Sequence, residues 1–199
     1  AVIARVNEDN TLGAIISLNC ETDFVAKNQA FVELAYELAE QAMNYASKEE
    51  FLASEFNGMT VAEKLIEQTG VIGEKIEIGA FEVLEGPYLG SYIHAGNKIA
   101  AITALSAKVD GAEEIAHAVS MQVAAMNPLA LDETKVSQEV IEKELEIERE
   151  LLTKEGKPAN IIDNILKGKM QKVYKENTLV HQAFIKDGHI SVEEYVRSA

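Results

Sequence analysis

The chain has a single cysteine, Cys20, among 199 residues. No disulfide can form within it, and no multi-cysteine metal site is available. A reducing compartment is favoured. Tryptophan is absent, and there are only three prolines. Cations are scarce: 18 Lys and Arg against 33 Asp and Glu leave a formal net charge of −15. Such a surface repels phosphate backbones and anionic bilayers, so direct binding to nucleic acid or membrane is not expected. No apolar run approaches the roughly 20 residues of a membrane-spanning helix, and no signal peptide opens the chain. Ala1-Val2-Ile3-Ala4-Arg5 reads as a strand with no preceding cap or turn, as expected of a piece of a longer protein. Apolar residues make up 47% of the chain, enough for a packed core and too many for a disordered chain. The length suits one domain with an appendage, or two small domains.

Hydrophobic spacing predicts an α+β fold. Val2–Val6 and Leu12–Leu18 flank the polar cluster Asn7-Glu8-Asp9-Asn10 and read as a β-hairpin. Residues 29–46 follow, with Phe31, Leu34, Ala35, Leu38, Ala42 and Tyr45 at helical spacing. Ser47 with Glu50, and Thr60 with Glu63, form capping boxes that predict short helices near 48–55 and 61–68. Lys75–Leu84 reads as a strand in which Phe81 falls off phase, and Gly86-Pro87 reads as a turn. Tyr88–His94 and Lys98–Leu105 make a second hairpin pattern around Ala95-Gly96-Asn97. A helix carrying Ile115, Val119, Val123 and Met126 follows and stops at Asn127-Pro128. Hairpin followed by helix therefore occurs twice, which predicts two α/β subdomains packed side by side. Residues 137–155 and 158–176, joined by Gly156-Lys157-Pro158, read as a protruding antiparallel coiled-coil hairpin with a solvated charged face. Leu179–Ile185 reads as a strand, and Ser191 with Glu194 caps a last short helix. The expected division is 1–87 for an N-terminal subdomain, 88–128 with 177–199 for a C-terminal one, and 129–176 for the arm.

Signals for enzymatic chemistry are weak. Cys20 ends an apolar strand, where a small buried thiol is the commoner role. His94, His117, His181 and His189 lack metal-ligand spacing. There is no P-loop, dinucleotide fingerprint or nucleophile elbow. Asp23-Phe24 is the unusual feature, lying on the connection between a strand and a helix. Phe24 either packs beneath its own helix, which composition alone favours, or stands exposed as a wedge for a partner's apolar crevice.

Leu18-Asn19-Cys20-Glu21-Thr22-Asp23-Phe24-Val25-Ala26-Lys27-Asn28 resembles the signature of the elongation factor Ts family. Three further blocks match in order: Val71-Ile72-Gly73-Glu74-Lys75-Ile76, Leu89-Gly90-Ser91-Tyr92-Ile93-His94, and Gly156-Lys157-Pro158 through Gly168-Lys169-Met170. There are departures. Gly79-Ala80 stand where the family has a basic pair, and Gln182-Ala183-Phe184 where it often has Gln-Pro-Phe. The family's N-terminal ubiquitin-associated-like module and its last strand find no counterpart, so a chain trimmed at both ends is expected.

The resemblance implies a guanine-nucleotide exchange factor, not an enzyme, that promotes GDP release from the GTPase elongation factor Tu in the cytoplasm. It implies that Thr22, Asp23, Phe24 and Val25 form a wedge that disturbs the GTPase's magnesium and phosphate site. Ile72, Gly73 and His94 would support it, although His94 read alone is a strand histidine satisfied by its own hairpin. No cofactor or metal is implied, and a homodimer is. Two other classes remain open: an interaction scaffold or adaptor that uses the arm, and a small-molecule enzyme that uses Cys20 or His94.

Overall fold

The structure is a computed structural model describing residues 1–199. It is an α+β protein of eight α-helices and nine strands in small antiparallel sheets. It divides into two compact units, residues 1–124 and 125–199.

In the first unit, β1 (Val2–Val6) pairs antiparallel with β2 (Leu12–Asn19). Asn7 closes the turn by accepting from the backbone N–H groups of Thr11 and Leu12. A four-residue helix, α1 (Asp23–Ala26), leads into α2 (Gln29–Ala42). Asn28 caps α2 by accepting from Phe31 N at 3.2 Å. Phe31, Leu34, Ala35, Leu38 and Ala42 are buried along one stripe of α2. The helix stops at Ala42, short of the expected residue 46.

The capping boxes behave differently. Ser47 caps α3 (Lys48–Ala53) through Glu50 N. Thr60 and Glu63 form the full reciprocal box at α4 (Val61–Ile72), which runs four residues beyond the expected end. Between these helices lies a ribbon that the spacing did not reveal, β3 (Glu55–Phe56) with β4 (Met59–Thr60). Its turn is Asn57-Gly58, both at positive φ, the pairing that suits a two-residue hairpin loop.

β5 (Glu77–Glu85) then returns along β2, giving the sheet order β1-β2-β5. Leu18 faces Ile78 and Ile16 faces Phe81, so Gly79 and Ala80 oppose the single residue Ser17. This bulge explains the off-phase Phe81: after one extra residue, side chains return to the opposite face. Phe81 packs at 5.4 Å on the fully buried Phe51. Ile3, Ile16, Leu18, Leu38, Phe51, Val61 and Ile78 form the core between this sheet and the helices.

β6 (Tyr88–Ile93) and β7 (Ala100–Leu105) form the second hairpin, and α5 (Ala112–Met126) packs on it through Ala112 and Ala116. Ile115 and Val119 are buried, whereas Met126 is exposed at the helix end.

In the second unit, α6 (Gln138–Lys154) and α7 (Ala159–Asn177) are joined through Gly156, at φ 80°, and Pro158. Leu152, Ile162 and Leu166 are buried between them, with Leu145 and Ile165 alongside. Arg149 pairs with Asp163 at 3.1 Å, and Lys169 with Glu148. The expected strand over 179–185 is mostly something else. Leu179–His181 is a 3-10 turn, and only β8 (Ala183–Phe184) is extended. β8 pairs with β9 (Asp187–Ser191), and Ser191 with Glu194 caps α8 (Val192–Ser198) as expected.

Candidate functional site

The turn after β2 carries the candidate residues Thr22, Asp23, Phe24 and Val25. Thr22 is the N-cap of α1: its hydroxyl oxygen accepts from Val25 N at 3.4 Å, and Asp23 adds a carboxylate to the first turn. Four residues are too few for a helix to sustain itself, and α1 has no buried residue. Val25 and Ala26 are half-buried, and Val25 packs against the core. Phe24 is 90% exposed, the largest exposure among the chain's large hydrophobic side chains. This corrects the composition-based preference for a core phenylalanine, because the ring has nothing beneath it to pack on.

The turn is braced from a segment about fifty residues away. α4 ends at Gly73, which takes φ 80° and turns the chain so that Glu74 follows outside the helix. Glu74 Oε1 accepts from the backbone N–H groups of Glu21 and Thr22, both at 2.9 Å. Glu74 Oε2 accepts from the Thr22 hydroxyl at 2.7 Å. In return, Lys75 N donates to Glu21 Oε1 at 3.0 Å. The Thr22 side-chain bond, then those from the Thr22 and Glu21 backbones, hold the Glu74 carboxyl below its ordinary pKa. Glu74 was not among the candidate residues. Its sequence position shows an acid after a helix end, and only the fold brings it to the turn.

A second tie comes from the β6–β7 loop, where Lys98 Nζ lies 3.4 Å from Asp23 Oδ1. Two of the four sequence blocks therefore meet, the Thr22–Val25 turn and the Gly73–Lys75 corner, and the loop that follows the third block reaches the turn through Lys98. The supporting residues are disposed unequally. Ile72 is half-buried against the core, Gly73 lies exposed at the corner, and His94 is exposed. His94 Nδ1 is 2.9 Å from the Tyr92 hydroxyl, so its own hairpin provides a partner. Cys20 is only half-buried, and its thiol donates to the Thr22 carbonyl at 3.3 Å. It stands at the edge of the core, less enclosed than the small buried thiol expected there. The Gly79-Ala80 departure lies at the β2–β5 bulge, where Ala80 N donates to Ser17 Oγ at 2.6 Å. No group of three or more His, Cys, Asp or Glu side chains converges as a metal site would require. No helix is long and apolar enough to cross a membrane.

An exposed aromatic on a braced turn suits insertion into another macromolecule better than bond-making chemistry. Comparison with known proteins gives the family. The family profile described as Elongation factor TS matches residues 21–199. A protein of Christiangramia forsetii named Elongation factor Ts is 63% identical over 198 residues, covering 100% of this chain and 72% of the relative. Its namesake from Flavobacterium psychrophilum is 60% identical with the same coverage. That of Clostridium perfringens is 41% identical over 196 residues, covering 95% of this chain and 65% of the relative. With relatives this similar along the full chain and a profile reaching from Glu21 to its end, the chain belongs to the elongation factor Ts family.

Proposed function

We propose that the chain is a guanine-nucleotide exchange factor for the translational GTPase elongation factor Tu, and that the Thr22–Val25 turn is its working part. Membership of the elongation factor Ts family supports a nucleotide-exchange role in translation elongation. The observation that carries the residue-level reading is Phe24, 90% exposed on a turn held by hydrogen bonds from a distant corner. An unpacked aromatic on ordered backbone is prepared to enter a partner's crevice with little entropy left to lose.

In this role the chain makes and breaks no covalent bond. It favours a state of the GTPase that holds GDP and magnesium poorly, through differential affinity for that state. The linkage is reciprocal, so bound GDP weakens the factor as much as the factor weakens GDP. Reversing a 99:1 preference takes about 5.5 kcal/mol of differential binding. Burying one phenylalanine contributes about 1.5–3 kcal/mol. Phe24 therefore acts with other contacts: Asp23 and Thr22 around the magnesium site, Ile72, Gly73 and His94 on the receiving surface, and the β6–β7–α5 layer against a second domain of the GTPase. The α6–α7 pair is the coiled-coil arm of this reading, and it aids docking or homodimer contacts in the cytoplasm.

The test is release of a fluorescent GDP from purified elongation factor Tu, with and without this chain. Faster release in proportion to added chain supports the role. Stable binding with no change in release would mean an adaptor.

A further inference from the structure

Phe24 is held in place by groups other than its own. Its ring is 90% exposed, and the helix that carries it has four residues, none buried. Val25 gives a half-buried anchor. The Asp23–Lys98 pair, with both side chains about two-thirds exposed, is of the kind that contributes little. The Cys20 thiol and Lys75 N each add one bond, to the Thr22 carbonyl and to Glu21, and the Glu74 carboxylate adds the most, receiving three hydrogen bonds from Glu21 and Thr22. We infer that Glu74 is a positioning residue for nucleotide exchange: its carboxylate orders the Thr22–Val25 turn so that Phe24 is presented ready for insertion. This rests on the exchange role proposed above.

The atoms give the route. The Thr22 hydroxyl has one proton and two lone pairs. Its proton goes to Glu74 Oε2 at 2.7 Å, which leaves a lone pair for Val25 N at 3.4 Å. The bond to Glu74 thus fixes the orientation in which Thr22 can cap α1. The two backbone donors to Oε1 fix the residues immediately before the cap. An ionised carboxylate accepts at both oxygens, whereas an amide of the same shape accepts at one and donates at the other. Glu74→Gln therefore keeps the size of the side chain and loses the pattern. Glu74 does not have to touch the GTPase for this, and its effect falls on the insertion step rather than on docking.

The experiment uses the whole chain as Glu74→Gln, Thr22→Val and the double variant, with Thr22→Ser as the conservative control. Backbone amide order parameters at Phe24 and Val25 are measured by NMR in the free chain. Rates of GDP release from elongation factor Tu are then measured against chain concentration. For Glu74→Gln, the order parameters are expected to fall from about 0.85 towards 0.6, the range separating rigid from flexible backbone. The maximal release rate is expected to fall about tenfold or more, equivalent to about 1.4 kcal/mol. The half-saturating concentration should shift less than the maximal rate does. Thr22→Val should lower the order parameters alike, Thr22→Ser, which keeps the hydroxyl, should keep the wild-type order parameters, and the double variant should be no slower than the slower single one, because both substitutions loosen the same carboxylate-to-turn network.

Wild-type order parameters in Glu74→Gln, a loss confined to half-saturation, or additive single effects would each overturn the inference. If Glu74→Gln fails to fold, Thr22→Val decides it on the order parameters of the free chain: wild-type values would overturn the inference, and lowered values support it. If the wild-type chain itself releases no GDP, the exchange role fails, and the order parameters alone decide whether Glu74 holds the turn.

Discussion

Gly90 on β6 lies directly beneath Ala116 of α5: a Cβ built on Gly90 would stand 2.5 Å from Ala116 Cβ and 2.9 Å from the Ala116 carbonyl carbon. Helix backbone cannot step aside as a side-chain tip can. The Ser120 hydroxyl also reaches the Gly90 carbonyl and Thr103 across this contact. Gly90→Ala is therefore expected to cost about 1–3 kcal/mol by overpacking. For a chain of this size that lowers the melting temperature by roughly 2–4 °C per kcal/mol. Calorimetry showing an unchanged melting temperature would mean that α5 is not seated against β6 in this way.

Gly73 presents the opposite case. Its φ is 80° and a Cβ there would meet nothing within 4 Å, so a side chain costs only backbone strain. Gly73→Ala is expected to destabilise by about 1–2 kcal/mol, the cost of a left-handed L-residue. Gly73→Asn should cost less, because asparagine tolerates that region. Urea unfolding with an unchanged slope separates the two. Equal losses from both substitutions would argue against the left-handed corner that places Glu74.

The brace also has a pH signature. Hydrogen bonds to Thr22 and Glu21 lower the folded-state pKa of Glu74. Its contribution is thus complete above the ordinary glutamate value of about 4.3 and is lost as pH falls through the depressed folded value. The Glu21 carboxylate, which accepts from Lys75 N, and the exposed Asp23–Lys98 pair are the other charged groups that flank the same turn. The Thr22 amide is expected to stay protected from hydrogen exchange near neutrality and to lose protection only at acid pH. In Glu74→Gln the protection should be weak at every pH. Identical pH profiles in the two chains would remove Glu74 as the cause.

How far the sequence goes can be seen element by element. The two hairpins were readable because alternation and polar turns are local, and so were the Thr60–Glu63 and Ser191–Glu194 boxes. The Asn57-Gly58 ribbon carried a strong turn signal, but its strands of two residues each show no period. The bulge at Gly79-Ala80 appeared in the sequence only as an off-phase Phe81, since register belongs to the pair and not to one strand. Residues 179–185 read as a strand from composition, while the backbone turns there because Thr178 and Leu179 are tied to the neighbouring segment at Ala130. At the site, family resemblance singled out Thr22 to Val25, whereas composition alone would have sent Phe24 into the core. Glu74 lay within the second family block, but its role could not be read there because its partners are 52 and 53 positions away.

The α6–α7 pair rests on few apolar contacts. Leu166 is buried against Leu152 and Ile162, and truncating it to alanine is expected to cost about 2–5 kcal/mol locally. Hydrogen exchange should then show protection lost across residues 138–177 and retained in β1, β2 and β5. Loss of protection in both places together would mean that the two units unfold as one.

The central claim is that Phe24 works as a wedge in GDP release. Because its side chain is 90% exposed, Phe24→Ala should leave stability within about 0.5 kcal/mol of wild type. Losing the burial of one phenylalanine in the exchange transition state should slow release about ten- to a hundredfold. The measurement is stopped-flow release of fluorescent GDP from elongation factor Tu at saturating chain, with binding and thermal stability measured in parallel. The expected result is slow release by a folded, binding-competent Phe24→Ala chain, and a wild-type release rate from such a chain would contradict the account.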